Sequence, residues 1–271
     1  MRLSASNIAW DRDEDGAVSD MLAAHGIDQV DLAPSKYFAS PADASDADIA
    51  RVRHWWNDRG FTIAGMQSLL FGTSGLNLFS ESREAMLDHL KLICRIGGGL
   101  GARALTFGSP RQRDRTGLSD AEAEAIAIDF FGRLGDHAVG TGVIICLEPN
   151  PPVYGCNFMT TTDEAADIVS ALGHPAVRLQ LDVGAIAIND EPVEPTIARH
   201  AAFIGHVHAS EPQLITLGDG GAPHAEAAAA LRAHRPDLTV TIEMVASSSQ
   251  PHITEILRAT ELARLHYGGP A

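Results

Sequence analysis

The sequence predicts an α/β protein folded as a single (β/α)8 barrel of the TIM type, one domain over residues 1–271. Short β-rich runs alternate with longer helical patterns along the whole chain, and no linker rich in Pro, Gly or Ser interrupts them. Strictly alternating strands and helices form parallel sheets with right-handed crossovers. About eight such units in roughly 250 residues are typical of a closed barrel rather than an open sheet.

Eight short apolar runs are predicted as the strands of the barrel. The fifth run, 143–148, is apolar until its last residue, as expected of a strand that is buried on both faces. The predicted strands are 3–8, 29–32, 61–70, 104–108, 143–148, 177–182, 203–209 and 239–244.

Helical patterns fill the intervals between these strands. Gly26 is expected to end the first helix, and Ser82 and Thr162 are expected as N-caps. The run Gly97-Gly98-Gly99-Leu100-Gly101 is predicted to end the third helix in a loop, because a dinucleotide-binding glycine loop would follow a strand. The predicted helices are 15–25, 46–59, 82–96, 120–139, 162–172, 195–200, 222–233 and 250–267, the last closed by Gly268-Gly269.

The composition is that of an acidic globular protein. Lys and Arg total 20 against 35 Asp and Glu, a net charge of −15 that argues against nucleic acid as a partner. No run reaches the ~18–20 apolar residues of a membrane span, and the N-terminus lacks the features of a signal peptide. The three cysteines, Cys94, Cys146 and Cys156, have no CxxC spacing. We therefore expect a cytoplasmic protein with buried free thiols and no membrane partner.

Chemical side chains end four consecutive predicted strands: Glu148, Asp182, His208 and Glu243 each follow an apolar run. Any one of them alone is more often a capping, salt-bridged or core residue. Four at equivalent places meet at the C-terminal mouth of a barrel, where active sites lie. Three carboxylates without a cation would repel one another and raise their pKa values. The sequence therefore predicts one divalent metal there: Mn²⁺, Mg²⁺ or Co²⁺, with Zn²⁺ as an alternative.

These motifs resemble the sugar phosphate isomerase/epimerase family of xylose-isomerase-like barrels, which is of the AP endonuclease family 2 type. The matching segments are Glu148-Pro149-Asn150, Leu181-Asp182-Val183-Gly184, His206-Val207-His208 with Glu211, and Ile242-Glu243. The resemblance to its ketose 3-epimerases implies that Glu148, Asp182, His208 and Glu243 bind the metal. It also implies that Glu148 and Glu243 are the catalytic acid/base pair, exchanging protons with the carbon beside a metal-bound carbonyl.

Two positions depart from the ketose 3-epimerase pattern. Ala185 stands where those enzymes have a His, and Leu214 where they have an Arg, and both of those residues help to hold substrate oxygens. The departures argue against a simple ketose 3-epimerase activity but leave the metal centre unaffected. His224 is a candidate to replace part of the lost polarity, and the alternative is an exposed loop histidine, which is the more common case.

Further substrate contacts are predicted from strand ends and loops. His206 shares a face of its strand with His208, as a substrate contact or a residue of the barrel interior. For Lys36 and for Arg111, in an arginine-rich loop, a solvated surface position is the alternative to an anion site. The uncharged segment 149–161 is predicted to be a lid or an oligomer contact. The predicted substrate-binding residues are Lys36, Gln67, Arg111, His206, Glu211 and His224.

The leading functional hypothesis is a metal-dependent isomerase or epimerase of a sugar, sugar phosphate or polyol. The same metal and glutamates would also serve a dehydratase of a keto-sugar or keto-polyol. A non-catalytic sugar-binding barrel is the alternative outside enzymes, and a nuclease role conflicts with the acidic charge. The resemblance is compatible with a homodimer or homotetramer.

Overall fold

Eight parallel strands close into a barrel in the order in which they occur along the chain, which confirms the predicted fold. The computed structural model describes residues 1–246 and 250–268. β2 and β6 have the predicted bounds, and each of the other six strands is shorter than, or displaced by one or two residues from, its predicted range. The strands are β1 Arg2–Ser6, β2 Gln29–Leu32, β3 Thr62–Met66, β4 Ala104–Phe107, β5 Ile144–Leu147, β6 Val177–Asp182, β7 Ile204–Ser210 and β8 Thr239–Glu243.

Helices follow the strands and cover the outside of the barrel, so that the apolar core lies between strands and helices. One short helix, Val183–Ile188, was not predicted, and it begins directly after Asp182. The predicted closing residue Gly269 lies outside the described residues. The helices are α1 Asp15–Ala24, α2 Asp46–Asn57, α3 Arg83–Leu100, α4 Asp120–Thr141, α5 Thr162–Leu172, α6 Val183–Ile188, α7 Val193–His200, α8 His224–His234 and α9 His252–Tyr267.

The predicted end of α3 at residue 96 is wrong, although the helix does end within the glycine run. It continues through Gly97–Gly99 to Leu100, and Gly101, whose φ of 81° lies in the left-handed region, is its C-cap. A Cβ on Gly98 would lie 2.4 Å from the carbonyl oxygen of Thr141, and one on Gly99 would lie 2.7 Å from Ile49. The glycines thus let α3 pack closely against α4 and α2, and this packing outweighs a helix-propensity cost of about 1 kcal/mol per glycine.

Two predicted N-caps also differ from the observed ones. Thr161, not Thr162, caps α5, and its hydroxyl accepts a hydrogen bond from the Glu164 amide. Ser82 precedes α3, but its hydroxyl accepts a hydrogen bond from the Asn77 amide instead of capping the helix. A pattern of residue types therefore located these helix starts to within about one residue.

All three cysteines are buried and free, as predicted. Among the helices in the described parts of the chain, none combines the length and the apolar character that crossing a bilayer requires.

Candidate metal centre and active site

Four side chains converge at the C-terminal mouth of the barrel. Strand pairing places Asp182 beside His208 and Ser210 beside Glu243, while Glu148 follows the last residue of β5. Glu148, Asp182, His208 and Glu243 each offer a ligand atom, and these atoms all lie within 4.8 Å of one another. The structure therefore brings together the four predicted metal ligands, from β5 to β8.

His208 lies at the centre of this cluster and is fully buried. Its Nδ1 is 3.1 Å from Glu148 Oε1 and 3.1 Å from Glu243 Oε2. Burial disfavours the charged imidazolium, but the two carboxylates outweigh it and raise the pKa of His208 well above its usual value. The imidazole is thus held with one nitrogen directed at two carboxylates from different strands.

Asp182 is the carboxylate with the most strongly perturbed ionisation. Its Oδ1 accepts a 2.5 Å hydrogen bond from the Ala185 amide, and its Oδ2 accepts a 2.6 Å bond from the Ser210 hydroxyl. Burial, followed by the charges of Glu243 and Glu148, nevertheless raises the pKa of Asp182 to about 8. The upward shift predicted for the carboxylates of this cluster therefore occurs at Asp182, where burial contributes more than the like charges.

The chemistry of this donor set fits a divalent cation. Three carboxylates surround one imidazole in a buried site, so the cluster has too little positive charge to balance them. Oxygen donors with one nitrogen suit Mg²⁺, Mn²⁺ and related ions, and a cation would relieve the repulsion that raises the pKa of Asp182.

Two amide side chains orient the glutamates. Gln67 Nε2 donates a 2.6 Å hydrogen bond to Glu243 Oε1, and Asn150 Nδ2 donates a 3.2 Å bond to Glu148 Oε2. Burial opposes ionisation of Glu243, but His208 and Gln67 hold its pKa below the usual value. Gly108 is needed beside Glu148, because a Cβ there would lie 1.8 Å from its Oε2. Gln67, a predicted substrate contact, is thus also a partner of Glu243.

His206 lies in the barrel interior beneath the centre. Its Nε2 is 2.7 Å from Asp31 Oδ2 and 3.1 Å from the Thr241 hydroxyl, and Ser4 donates to the other oxygen of Asp31. A Cβ on Gly65 would lie 2.5 Å from Asp31, so this glycine leaves room for the carboxylate. These contacts correspond to the interior alternative for His206 rather than to a substrate contact.

Glu211 and His224 face each other, and their polar atoms are engaged by other groups of the protein. Glu211 is fully buried and accepts hydrogen bonds from the amides of Gly218 and Ala222, at 2.7 and 2.8 Å. His224 Nε2 is 3.1 Å from Glu211, and its Nδ1 is 2.8 Å from the Tyr267 hydroxyl. The loop after β7 needs an acceptor for its amides, and Glu211 provides it. Both nitrogens of His224 are engaged, so it does not replace the polarity lost at Ala185 and Leu214.

Lys36 lines the mouth of the barrel with its ammonium group already engaged. Its Nζ donates a 2.7 Å hydrogen bond to the Asn7 carbonyl oxygen and a second bond to that of Trp10. Burial lowers the pKa of Lys36. These bonds to the loop after β1 leave little of its hydrogen-bonding capacity for an anion.

The arginine-rich loop does not form one anion site. Arg111 is exposed and lines the mouth. Arg113 is fully buried and donates a 2.8 Å hydrogen bond to the carbonyl oxygen of Glu148, and Arg115 pairs with Asp120 on the surface. The three guanidinium groups therefore serve separate purposes, and of them Arg111 alone lines the cavity described next.

A cavity of about 1100 Å³ opens above the four ligands. The segment 149–155 lines it, and the Tyr154 hydroxyl accepts a 2.7 Å hydrogen bond from the amide of Gln213 in the loop after β7. Ala185 and Leu214, the two departures from the epimerase pattern, line the same cavity. The uncharged segment therefore borders the site, as expected of a lid.

Sequence reasoning missed three residues that support the centre: Asp31, Asn150 and Ser210. Ser210 continues the alternation of His206 and His208 along β7, so its position on the same strand face was a usable signal. Asp31 is a fully buried charge inside a strand, which requires a partner. Asn150 stands two residues after Glu148, and its contact depends on the path of the loop.

The chain belongs to a family of barrel proteins: the sequence profile of the Xylose isomerase-like TIM barrel family matches residues 20–264. A curated relative, the D-psicose 3-epimerase of Enterocloster bolteae, is 28% identical over 199 residues. The match covers 68% of this chain and 62% of the relative, so it spans less than two thirds of the relative's length.

Solved structures of sugar epimerases share the fold. The D-psicose 3-epimerase of Clostridium cellulolyticum H10, solved with D-tagatose, has a TM-score of 0.83 at 18% identity, covering 99% of this chain and 100% of that one. The 3-keto-D-glucoside 4-epimerase of E. coli has a TM-score of 0.75 at 15% identity, with coverages of 96% and 99%. At these identities the likeness establishes the fold alone.

Proposed function

We propose that the chain is a divalent-metal-dependent epimerase or isomerase of a keto-sugar, sugar phosphate or related polyol. One observation carries the proposal: Glu148 and Glu243, from strands that are not neighbours, both lie 3.1 Å from the same nitrogen of His208 at the base of the large cavity. Similarity to proteins named D-psicose 3-epimerase and 3-keto-D-glucoside 4-epimerase supports a carbohydrate substrate.

Glu148, Asp182, His208 and Glu243 are the residues that would hold the cation. When bound, a divalent cation supplies a Lewis acid that stabilises negative charge developing on a substrate oxygen. Ser210 and the Ala185 amide fix both oxygens of Asp182. Such outer contacts orient a ligand and keep it in place while substrate exchanges.

The two glutamates are suited to move a proton at the carbon beside a carbonyl. Glu243 is held ionised by His208 and Gln67, so it is prepared to accept a proton from that carbon. Glu148, positioned by Asn150, would return a proton to the opposite face when it carries one. Removal on one face and return on the other inverts the carbon, whereas return to the neighbouring carbon isomerises the sugar.

The test is metal analysis followed by incubation of the loaded protein with a panel of ketoses, aldoses and their phosphates in D₂O. Deuterium at one carbon of one sugar is the expected result. Glu148→Gln and Glu243→Gln should each abolish the exchange while the fold persists. Glu226→Gln, an exposed residue of α8, is the matched control and should exchange as the wild type does.

Other outcomes would replace the proposal. Gain of enone absorbance with loss of substrate would identify a dehydratase. Sugar binding that needs no metal and survives both glutamate substitutions would identify a non-catalytic sugar-binding barrel. Wild-type exchange in Glu148→Gln or in Glu243→Gln would overturn the two-glutamate mechanism.

A further inference from the structure

The cavity above the four ligands has two chemically different parts. Its base is polar and contains Glu148, Asp182, Glu243 and Gln67. Its outer part, here called the apolar rim, consists of Phe71, Val153, Leu214 and Val245. A ligand that fills the whole cavity therefore has a polar end and an apolar end.

The apolar rim is unusually exposed. Phe71 is 74% exposed, Val153 68% and Val245 49%, and they come from the loops after β3, β5 and β8. Single exposed apolar residues are normal on protein surfaces. Three that converge from separate loops onto one cavity mark a binding surface, because water contact with such a patch is unfavourable.

The size of the cavity also exceeds what a simple sugar requires. At about 1100 Å³ it lies just above the roughly 300–1000 Å³ typical of sites for drug-sized ligands, which are larger than a free hexose. A hexose bound at the polar base would leave the apolar rim in water.

Leu214 is held in the rim by its backbone. Its amide donates to the Glu211 carbonyl oxygen and its own carbonyl oxygen accepts from the Val245 amide, both at 2.9 Å. Leu214 and the preceding Gln213 have φ values of 55° and 61°, a left-handed conformation that is unfavourable for residues other than glycine. Backbone of this kind persists where surrounding contacts enforce it, and it is concentrated at functional sites.

We infer that the substrate is a keto-glycoside: a sugar ring at the polar base, with its carbonyl on a ring carbon other than the anomeric one, that carries an aglycone of aromatic size against Phe71, Val153 and Val245. The inference rests on the proposed function for the sugar end alone. Ala185 and Leu214 are consistent with it, because both present apolar surface to the cavity. The aglycone is recognised through burial of apolar surface and takes no part in the reaction. Its recognition can therefore be tested by binding as well as by turnover.

The experiment compares two non-reacting ligands, 4-nitrophenyl glucoside and methyl glucoside, by calorimetry with the Mn²⁺-loaded protein. The aryl glucoside is expected to bind about tenfold or more tightly, since it buries an additional ring. Phe71→Ser and Val153→Ser should each reduce this preference several-fold and leave methyl glucoside binding unchanged. Leu265→Ser is the matched control, because Leu265 is 76% exposed on α9 and does not line the cavity.

Two results would overturn the inference. One is equal affinity for both glucosides. The other is an aryl preference unchanged in Phe71→Ser and Val153→Ser while light scattering shows that these variants lose a dimer, which would make the rim a contact between copies of this chain.

Measurements of deuterium exchange distinguish a failure of the glycoside proposal from a failure of the proposed epimerase activity. Deuterium exchange into free ketohexoses as efficiently as into keto-sugars with an aryl aglycone would refute the glycoside inference and support the epimerase. An aryl preference that depends on Phe71, with no exchange into any sugar, would support the inference and refute the epimerase.

Discussion

Two buried clusters near the end of β7 contain the same residue types but differ in how their charges are satisfied. In one, the Glu211 carboxylate accepts hydrogen bonds from two backbone amides and contacts Nε2 of His224. The other ring nitrogen of His224 contacts the Tyr267 hydroxyl. In the other, three carboxylates share the single imidazole of His208. The first cluster is complete within the protein, whereas the second needs positive charge from outside.

The pKa values express the same difference. Burial lowers the pKa of His224, as for a histidine that works as a neutral hydrogen-bonding group. The pKa of His208 is instead raised well above its usual value, since the attraction of Glu243 and Glu148 exceeds the effect of burial. A buried histidine beside a glutamate therefore indicates a metal site when the carboxylates outnumber the groups that donate hydrogen bonds or positive charge to them.

The largest expected effect separates the clusters by metal binding. Asp182→Asn should weaken metal affinity by more than the roughly 100-fold that the loss of an outer hydrogen bond causes, and turnover should vanish. The metal-free variant should be at least as stable as the wild type, because the amide keeps the shape without the charge. Metal content, deuterium exchange and thermal unfolding in chelator would measure this.

The matched control is Asp167→Asn on the exposed face of α5, which should retain metal. A stoichiometric, tightly bound metal in Asp182→Asn would show that the four residues are not its ligand set.

The second effect is on stability and concerns the complete cluster. Glu211→Ala removes the acceptor of two part-buried amides and leaves the buried His224 Nε2 without its partner, so we expect a loss of about 1–3 kcal/mol in unfolding free energy. Denaturant unfolding of the metal-free protein would measure it, with Glu226→Ala on the exposed face of α8 as control. Stability equal to the wild type would mean that the loop amides find other acceptors.

The sequence predicted which four side chains cluster at the barrel mouth better than it predicted the contacts around them. Glu148, Asp182, His208 and Glu243 follow apolar runs, and parallel strands in a barrel end at one mouth, so a one-dimensional pattern fixes a three-dimensional neighbourhood. Glu211 lies in a loop, whose path depends on which amides need an acceptor. No periodicity carries that information, and this is why its contact with His224 was missed.

The glycines of α3 show a second limit of the sequence pattern. Gly97–Gly99 have low helix propensity, and local rules end a helix there. Their role depends on Thr141 and Ile49, which lie on other helices and need the space that a Cβ would fill. Close packing against neighbouring helices, rather than local helix propensity, therefore determines the conformation of Gly97–Gly99.

The third prediction concerns the support of the metal centre. Ser210→Ala removes the donor to Asp182 Oδ2 and the acceptor of the Gly184 amide, so metal affinity should fall about 10–100-fold with the fold intact. Ser170→Ala on the exposed face of α5 should have no effect. Calorimetric titration with Mn²⁺ would compare them, and equal affinities would show that Ser210 does not orient the ligand.

The fourth prediction concerns the pH dependence of metal binding. Below about pH 8 the metal-free site holds a proton on Asp182, and the raised pKa of His208 keeps a second proton, so a cation must displace both. Affinity should therefore rise with pH, roughly tenfold per unit for each proton displaced. The rise from Asp182 should level off above pH 8, and Mn²⁺ titrations under nitrogen at pH 6, 7 and 8 would measure it.

The protons on Asp182 and His208 also determine whether the stability of the metal-free protein rises or falls with pH. The folded pKa of Asp182 lies above its ordinary value of 3.8, so between pH 4 and 8 the native state binds more protons than the unfolded state. The metal-free protein should lose stability as pH rises through this window, and the raised pKa of His208 acts in the same direction above pH 6.5. Bound metal opposes that loss, so the difference in Tm between loaded and metal-free protein should widen from pH 6 to 8. Metal-free Asp182→Asn lacks the titrating carboxyl and should show a weaker decline; a decline equal to that of the wild type would place the responsible charge elsewhere.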